Sequence, residues 1–126
     1  RLNKKLTFIQ NCKEMPVAYK LVDLVVSSSI EPEAFGRVAV EAQAMSRPII
    51  ASNLGGSKET ILNGKSGLLY KPEDQNELAS IINKVMEMSK ETLDLMGAEG
   101  RKNVEKKFNV DQMCQTTFTE YKKLLK

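Results

Sequence analysis

The chain has 126 residues, of which 41% are apolar and 28% are charged, and its formal net charge is +3. This length is enough for one domain with its own core, and the composition is that of a soluble globular protein. Histidine is absent and the two cysteines lie far apart, which excludes ordinary zinc sites and any nucleophile activated by histidine, and suits a reducing cytoplasm.

The first part of the chain predicts strand, helix and strand. Residues 6–9 (LTFI) have the β-branched and aromatic content of a short strand. Residues 15–22 predict a helix, with Pro16 at a permitted position in its first turn. Residues 24–28 predict a second strand, whose apolar side chains do not alternate with polar ones. We therefore expect helices to cover both faces of this strand.

The middle of the chain continues this alternation. A helix is predicted over residues 36–46, and one apolar stripe on it should pack on the sheet. This stripe consists of Val38, Ala42 and Met45. Residues 48–52 predict a third strand, which leads into a turn over residues 53–56. Ser57 is then predicted to cap a short helix that ends at residues 63–64.

The last part of the chain predicts one more strand and three helices. Residues 68–70 form the fourth strand, and residues 72–74 open a long amphipathic helix. The apolar face of this helix consists of Leu78, Ile81, Ile82, Val85 and Met86. A second helix begins after Ser89, with Gly97 and Gly100 as its predicted weak points. A final helix is marked by Met113, Phe118, Tyr121 and Leu124.

Four strands alternating with helices predict an α/β fold, in which a parallel sheet is layered by helices. Ligands of such sheets bind beyond the carboxyl ends of the strands, where the turns near Gly36 and Gly55 should lie. The helix that opens near Gly36 offers free N–H groups to an anion. A carboxylate on the same helix can accept hydrogen bonds from sugar or ribose hydroxyls. These groups together predict a nucleotide-sugar pocket.

Residues 33–41 (EAFGRVAVE) place two glutamates eight positions apart. This segment resembles the E-x7-E element of retaining GT-B glycosyltransferases, the glycogen-synthase-like superfamily that includes the family 4 type, glycosyl transferases group 1. The flanking segments resemble successive strands and loops of that family; they are residues 6–9, 23–26, 48–52, 55–59 and 64–69. The resemblance implies that residues 1–126 are part of a Rossmann-like C-terminal donor-binding domain, across which final helices over about 90–126 pack.

The resemblance also assigns roles to the two glutamates. Glu33 matches the family's catalytic position, which faces the transferred sugar, although a loop carboxylate beside Glu31 is the alternative interpretation. Glu41 matches the glutamate that holds the ribose hydroxyls of the donor, and the alternative is a solvated helix glutamate. The backbone amides expected to bind the diphosphate or sugar oxygens are those of Phe35, Gly36, Arg37 and Val38.

Two further positions carry open interpretations. Cys12 matches a donor-binding position whose backbone meets the nucleobase in the family, but a small buried thiol is the other interpretation. The pair Gly55 and Gly56 is either a wall of the sugar pocket or a plain turn before a helix. No metal and no cofactor are expected, because helix termini and basic side chains neutralise the leaving diphosphate in the family.

The chain departs from the family at Gln10, where a glycine is usual. It also lacks the family's first strand, its Gly-Arg-Leu-type turn and the lysine that clamps the pyrophosphate, together with the N-terminal lobe. In the family's sheet order, the strand at residues 6–9 does not neighbour the one at residues 24–26. We therefore expect either a piece of a longer protein, or a first strand that moves or pairs with a partner, such as the missing lobe or another chain at the exposed sheet edge.

The expected function is the donor-binding portion of a retaining hexosyltransferase, which moves a hexose from a nucleotide-sugar to a glycan or lipid acceptor in polysaccharide or lipopolysaccharide biosynthesis. This chain alone is expected to be inactive. The alternative is a non-catalytic remnant or assembly module with weak or no nucleotide binding. A flavodoxin-like or receiver-like domain is poorly supported, since no acidic cluster or flavin phosphate loop follows the first strand.

The C-terminal residues 101–126 hold seven lysines and arginines against three acidic residues. Such a segment suits peripheral contact with anionic lipid on the inner membrane face, or contact with an acidic partner. The alternative is a solvated helix face. No nucleic-acid partner is expected. No apolar run approaches the roughly 18 residues that a membrane-spanning helix needs.

Overall fold

The computed structural model describes residues 5–125 and has three strands and six helices within that range. In chain order these elements are α1 (Met15–Leu21), β1 (Val25–Ser27), α2 (Arg37–Ala44), β2 (Ile49–Ser52), α3 (Ser57–Thr60), β3 (Leu68–Tyr70), α4 (Gln75–Met86), α5 (Lys90–Lys107) and α6 (Val110–Leu124).

The three strands form one parallel sheet in the order β1-β2-β3, with β2 in the centre. Val25 of β1 is aligned with Ile49, and Ile50 of β2 is aligned with Leu68. Every residue of β2 is buried, because helices cover both faces of the sheet. The predicted α/β fold with a parallel sheet is therefore confirmed.

The core has one part on each face of the sheet. On one face, α1 and α2 bury an apolar cluster made of Tyr19, Ala39, Ala42, Ile49, Ala51 and Ile61. On the other face, α4 covers a cluster centred on Ile50, Tyr70 and Val85. Ile49 and Ile50 therefore point to opposite sides, as successive strand residues do.

The fourth predicted strand, at residues 6–9, does not form. In the structure this segment is irregular, and Leu6, Phe8 and Ile9 are 55%, 91% and 76% exposed. A short strand is stable only when a neighbouring strand accepts its hydrogen bonds, and none of the described strands lies beside this one. Residues 6–9 have the composition of a strand, but the prediction that they form one is wrong.

Three smaller predictions are corrected. Ser57 is the first residue of α3 rather than its cap, since Gly56 occupies the N-cap position. Helix α3 ends at Thr60, before the predicted stop at residues 63–64. Met86 was assigned to the apolar face of α4 but is 76% exposed, because it lies at the end of that helix.

Gly97 and Gly100 are not weak points, because α5 runs through both without interruption and both are buried. A Cβ on Gly97 would overlap the carbonyl of Ser46, and one on Gly100 would lie 2.9 Å from Cγ of Gln43. The missing side chains let α5 approach α2 closely. Helix α6, by contrast, buries none of its described residues, and the assignment of residues 90–126 as a segment that packs across the domain stays a prediction.

Candidate functional site

The loops that follow β1 and β2 meet at the carboxyl edge of the sheet. The amide of Gly56 donates a hydrogen bond of 2.8 Å to the carbonyl of Glu33. The Ser52 hydroxyl, at the end of β2, donates one of 2.8 Å to the carbonyl of Ser29. Main-chain atoms therefore fix the first loop against the second, at the edge where ligands of parallel sheets bind.

Glycines allow this close contact. A Cβ on Gly55 would lie 2.5 Å from the Glu33 carbonyl oxygen, and Gly55 also has a φ of 53°. A Cβ on Gly56 would overlap the main chain of Phe35. The structure thus places the predicted pair directly against residues 33–35, and its role as a wall of a sugar pocket stays a prediction.

Helix α2 begins at this junction with unused backbone donors. Gly36 is its N-cap, with φ 72° and ψ 54°, and has no side-chain capping bond. Within residues 5–125, no hydrogen bond runs from the amides of Phe35, Gly36, Arg37 or Val38 to another residue. The positive end of the helix dipole lies at the same place. This arrangement suits the predicted binding of phosphate oxygens.

Glu41 lies one turn further along α2, with both carboxylate oxygens in contact with donors. The Tyr19 hydroxyl donates to Oε2 over 3.0 Å, and Nη2 of Arg37 donates to Oε1 over 3.1 Å. Tyr19 is only 5% exposed, whereas the Arg37 side chain is 83% exposed. The first contact is therefore held by the core, and the second is a surface ion pair of the weak i,i+4 kind.

A cleft of about 400 Å³ opens beside Glu41. One wall is formed by Arg37, Glu41 and Ala44 of α2 and by Met45 at its C-cap, since they recur at helical spacing on one face. Lys13, Met15, Pro16 and Tyr19 form the other wall. The cleft thus combines the Glu41 carboxylate with the cations of Lys13 and Arg37. The carboxylate can accept hydrogen bonds from hydroxyls, and the cations can bind phosphate.

The pKa of Tyr19 is raised by its surroundings. Burial, followed by the hydrogen bond to Glu41 and the negative charge of that carboxylate, raises the pKa of Tyr19 from 10.0 to about 12. At neutral pH the phenol is protonated and donates its hydrogen bond to Glu41.

Glu33 has its own support in the first loop. The Ser29 hydroxyl donates to Oε1 of Glu33 over 2.6 Å. Glu33 precedes α2 in the chain and does not line the cleft beside Glu41. Contact of both with a single donor molecule stays a prediction.

The other predicted residues are placed as follows. The Phe35 ring is 47% exposed and packs edge-on against Phe108, with centroids 5.7 Å apart. The Val38 side chain packs against the core cluster, which leaves only its amide for a ligand. Cys12 is a half-buried free thiol in the irregular segment before α1, and its contact with a nucleobase is untested.

Three residues that contact the candidate site were not predicted from the sequence, namely Tyr19, Ser29 and Ser52. The helix predicted over residues 15–22 includes Tyr19, but helical spacing alone assigns no role to its hydroxyl. A tyrosine on the buried face of a helix needs a hydrogen-bond partner for its hydroxyl, and this need was the available signal. The two serines follow strand ends, where hydroxyls commonly bind loop groups, but no spacing identifies their partners.

Neither a metal cluster nor a membrane span is found in the described part of the chain. No group of three or more Cys, Asp or Glu side chains in residues 5–125 could hold a metal ion. No helix there combines the length and apolarity needed to span a bilayer.

The family model described as Glycosyl transferases group 1 matches residues 1–103. Spore coat protein SA of Bacillus subtilis is 34% identical over 121 residues, which cover 94% of this chain and 32% of that protein. A glycosyltransferase from Rickettsia africae is similar in structure, with a TM-score of 0.88 and 32% sequence identity. The match covers 99% of this chain and 33% of the Rickettsia chain. The structure of Anabaena HepE in complex with UDP and glucose is also similar, with a TM-score of 0.80 and 30% sequence identity. The match covers 88% of this chain and 30% of the HepE chain. The chain thus spans about a third of the length of these relatives.

Proposed function

The chain belongs to the glycosyl transferases group 1 family of GT-B glycosyltransferases, and from this premise we propose that it is the donor-binding portion of a retaining hexosyltransferase. Its substrate is a nucleotide-sugar, and the hexose passes to a glycan or lipid acceptor. The rest of a longer protein, or a second chain, supplies the acceptor site. The relative crystallised with UDP and glucose supports the choice of donor class.

One observation carries this proposal. The amides of Gly36, Arg37 and Val38, which donate to no other residue in the described part of the chain, lie at the N-terminus of α2, and Glu41 follows one turn later beside an open cleft. A nucleoside diphosphate carries an anionic diphosphate and a ribose diol in one molecule. The helix therefore offers a complement to each part of the molecule.

The chemistry assigned to the site is positioning and charge stabilisation. The amides of residues 35–38 and the Arg37 guanidinium hold the diphosphate and the charge that develops on it as it leaves. Glu33, oriented by Ser29, positions the transferred sugar. Attack of the acceptor on the same face from which the diphosphate departs, assisted by a leaving-group phosphate oxygen, gives retention of configuration. This route requires no metal and no nucleophile from the protein.

A non-catalytic module is the second candidate, and the contacts of Glu41 favour it. Both of its oxygens already accept hydrogen bonds from Tyr19 and Arg37. If these contacts were permanent, the ribose hydroxyls would have a poorer acceptor. The chain would then contribute to an assembly without binding a donor.

The first test is a calorimetric titration of this chain with UDP, GDP, ADP and their hexose conjugates. We expect micromolar to low-millimolar binding of one nucleotide. Glu41→Ala should weaken that binding by about tenfold or more, because each hydrogen bond to a charged group contributes roughly 1.5–3 kcal/mol.

Glu87→Ala is the matched control, since Glu87 is an exposed glutamate at the end of α4 and does not line the cleft. It should leave the dissociation constant unchanged. Absence of binding by every nucleotide, or equal loss in both variants, would contradict a donor pocket in this chain and favour the assembly module.

A further inference from the structure

We propose that Tyr19 is a positioning residue for the donor's ribose, which holds the Glu41 carboxylate in the orientation that accepts the ribose hydroxyls. This inference rests on the proposed function and adds a residue from α1 to a site otherwise built from α2 and its loop. The two donors to Glu41 have different roles: Tyr19 is a permanent support, and Arg37 is an exchangeable contact.

The Tyr19 residue is held both by its ring and by its main chain, and this fixes the position of its hydroxyl. Its ring lies in the core cluster with Ala39 and Ala42 of α2. Its carbonyl accepts a 2.9 Å hydrogen bond from Nε of Arg47, whose Nη2 also binds the carbonyl of Lys20. A cation on the last carbonyls of a helix is favourable, so Arg47 anchors α1 where Tyr19 must be held.

The fixed hydroxyl limits how Glu41 can turn. The contact of 3.0 Å to Oε2 leaves Oε1 on the other side of the carboxylate. An ionised carboxylate has about four lone-pair sites, so one bond from Tyr19 leaves enough of them for two ribose hydroxyls. Without Tyr19 the carboxylate would keep only the weak pair with Arg37 among its contacts in the described part of the chain, and its ordering would cost free energy on binding.

Arg37 can leave Oε1 when a ligand arrives. Its side chain is 83% exposed and follows Gly36 directly, beside the unbonded amides. An exposed i,i+4 ion pair is weak, and a diphosphate offers the guanidinium a stronger, bidentate partner. Movement of Arg37 from Glu41 to phosphate would free Oε1 for the ribose without any change at Tyr19.

The test compares Tyr19→Phe with the wild-type chain by calorimetry. The two ligands are the nucleoside diphosphate that the wild type binds best among UDP, GDP and ADP, and the 2′,3′-dideoxy form of that nucleotide. Tyr19→Phe should raise the dissociation constant of the first by about five- to twentyfold, as for loss of a hydrogen bond to a charged group. The dideoxy form should bind both proteins within about twofold.

Tyr70→Phe is the control for loss of a buried hydroxyl, because Tyr70 is also 5% exposed and lies on the other face of the sheet. It should change neither constant. Arg47→Gln is a second variant, which loosens the anchor of α1 and should weaken the ribonucleotide selectively, as Tyr19→Phe does.

Three results would overturn the inference. If Tyr19→Phe leaves the ribonucleotide constant unchanged, Glu41 needs no support from the phenol. If it weakens both nucleotides equally, Tyr19 acts on the general shape of the cleft. If the wild type binds no nucleotide, the proposed function fails and this inference fails with it, which separates that case from the first two.

Discussion

Gln43 is a fully buried polar side chain whose partners come from three helices. Its amide nitrogen donates to the carbonyls of Ala39 and Thr60, at 3.0 Å and 2.9 Å. Asn103 of α5 donates to the same Thr60 carbonyl over 2.9 Å. Buried polar groups are almost always bonded, and the Asn103 Oδ1 atom is the exception among the described side chains. The sequence cannot predict this network, because Gln43 and Asn103 are 60 positions apart.

Tyr19 should make stability depend on pH at high pH. Its pKa is raised from 10.0 to about 12 in the folded chain, so its contribution is fully present below pH 10. As the pH rises from 10 to 12, the unfolded chain loses the proton and the folded chain keeps it. The free energy of unfolding should therefore fall across this range, and fall less for Tyr19→Phe. Urea unfolding at a series of pH values measures both slopes, and equal slopes would contradict the shift.

The helices were predictable because their signals are local. Asp74 caps α4 through a 2.9 Å bond from the Glu77 amide, and Ser89 and Asn109 cap α5 and α6 in the same way. The predicted strand at residues 6–9 failed because a strand depends on a neighbour that a local pattern does not contain. The glycines of α5 were misjudged for a similar reason, since the helix they contact lies more than fifty positions away in the chain.

Gly56→Ala tests the contact between the two loops. Gly56 has an ordinary helical φ of −61°, so the substitution adds no backbone strain, and its nearest clash is with the main chain of Phe35. We expect overpacking to lower the free energy of unfolding by about 1–3 kcal/mol, and nucleotide binding to weaken as the loops separate. Thermal unfolding and calorimetry measure the two effects.

Gly64→Ala is the comparison for backbone strain without a clash. Gly64 has a φ of 80°, but a Cβ there would meet no atom within 4 Å. Its cost should be about 1 kcal/mol from strain alone, with no change in nucleotide binding. Equal effects of the two substitutions on binding would contradict a specific role for the loop contact.

At the scale of the whole molecule, the chain leaves apolar surface exposed at the segment before α1. Phe8 and Ile9 are 91% and 76% exposed, and β1 is an edge strand with Val26 43% exposed. Exposed apolar side chains and an open strand edge are each typical of surfaces that meet another segment of protein. The exposed apolar surface agrees with the finding that the chain spans about a third of the length of its relatives.

We expect this surface to cause concentration-dependent self-association of the isolated chain. Phe8→Ser should reduce association in sedimentation experiments, with little change in the free energy of unfolding, because the side chain has few contacts to lose. Leu125→Ser removes an equally exposed apolar side chain, 87% exposed, at the other end of the chain. If both substitutions reduce association equally, residues 6–9 are not the specific contact.

The contact between the two site loops has a consequence for how such proteins diversify. Two hydrogen bonds that join the loops end on main-chain carbonyls, and glycines let the backbones touch. The neighbouring side chains of Ile30, Glu31 and Ala34 are exposed. Mutations at these three positions can therefore accumulate without loosening the junction, so that the rim of the proposed pocket can change while its main-chain frame is kept.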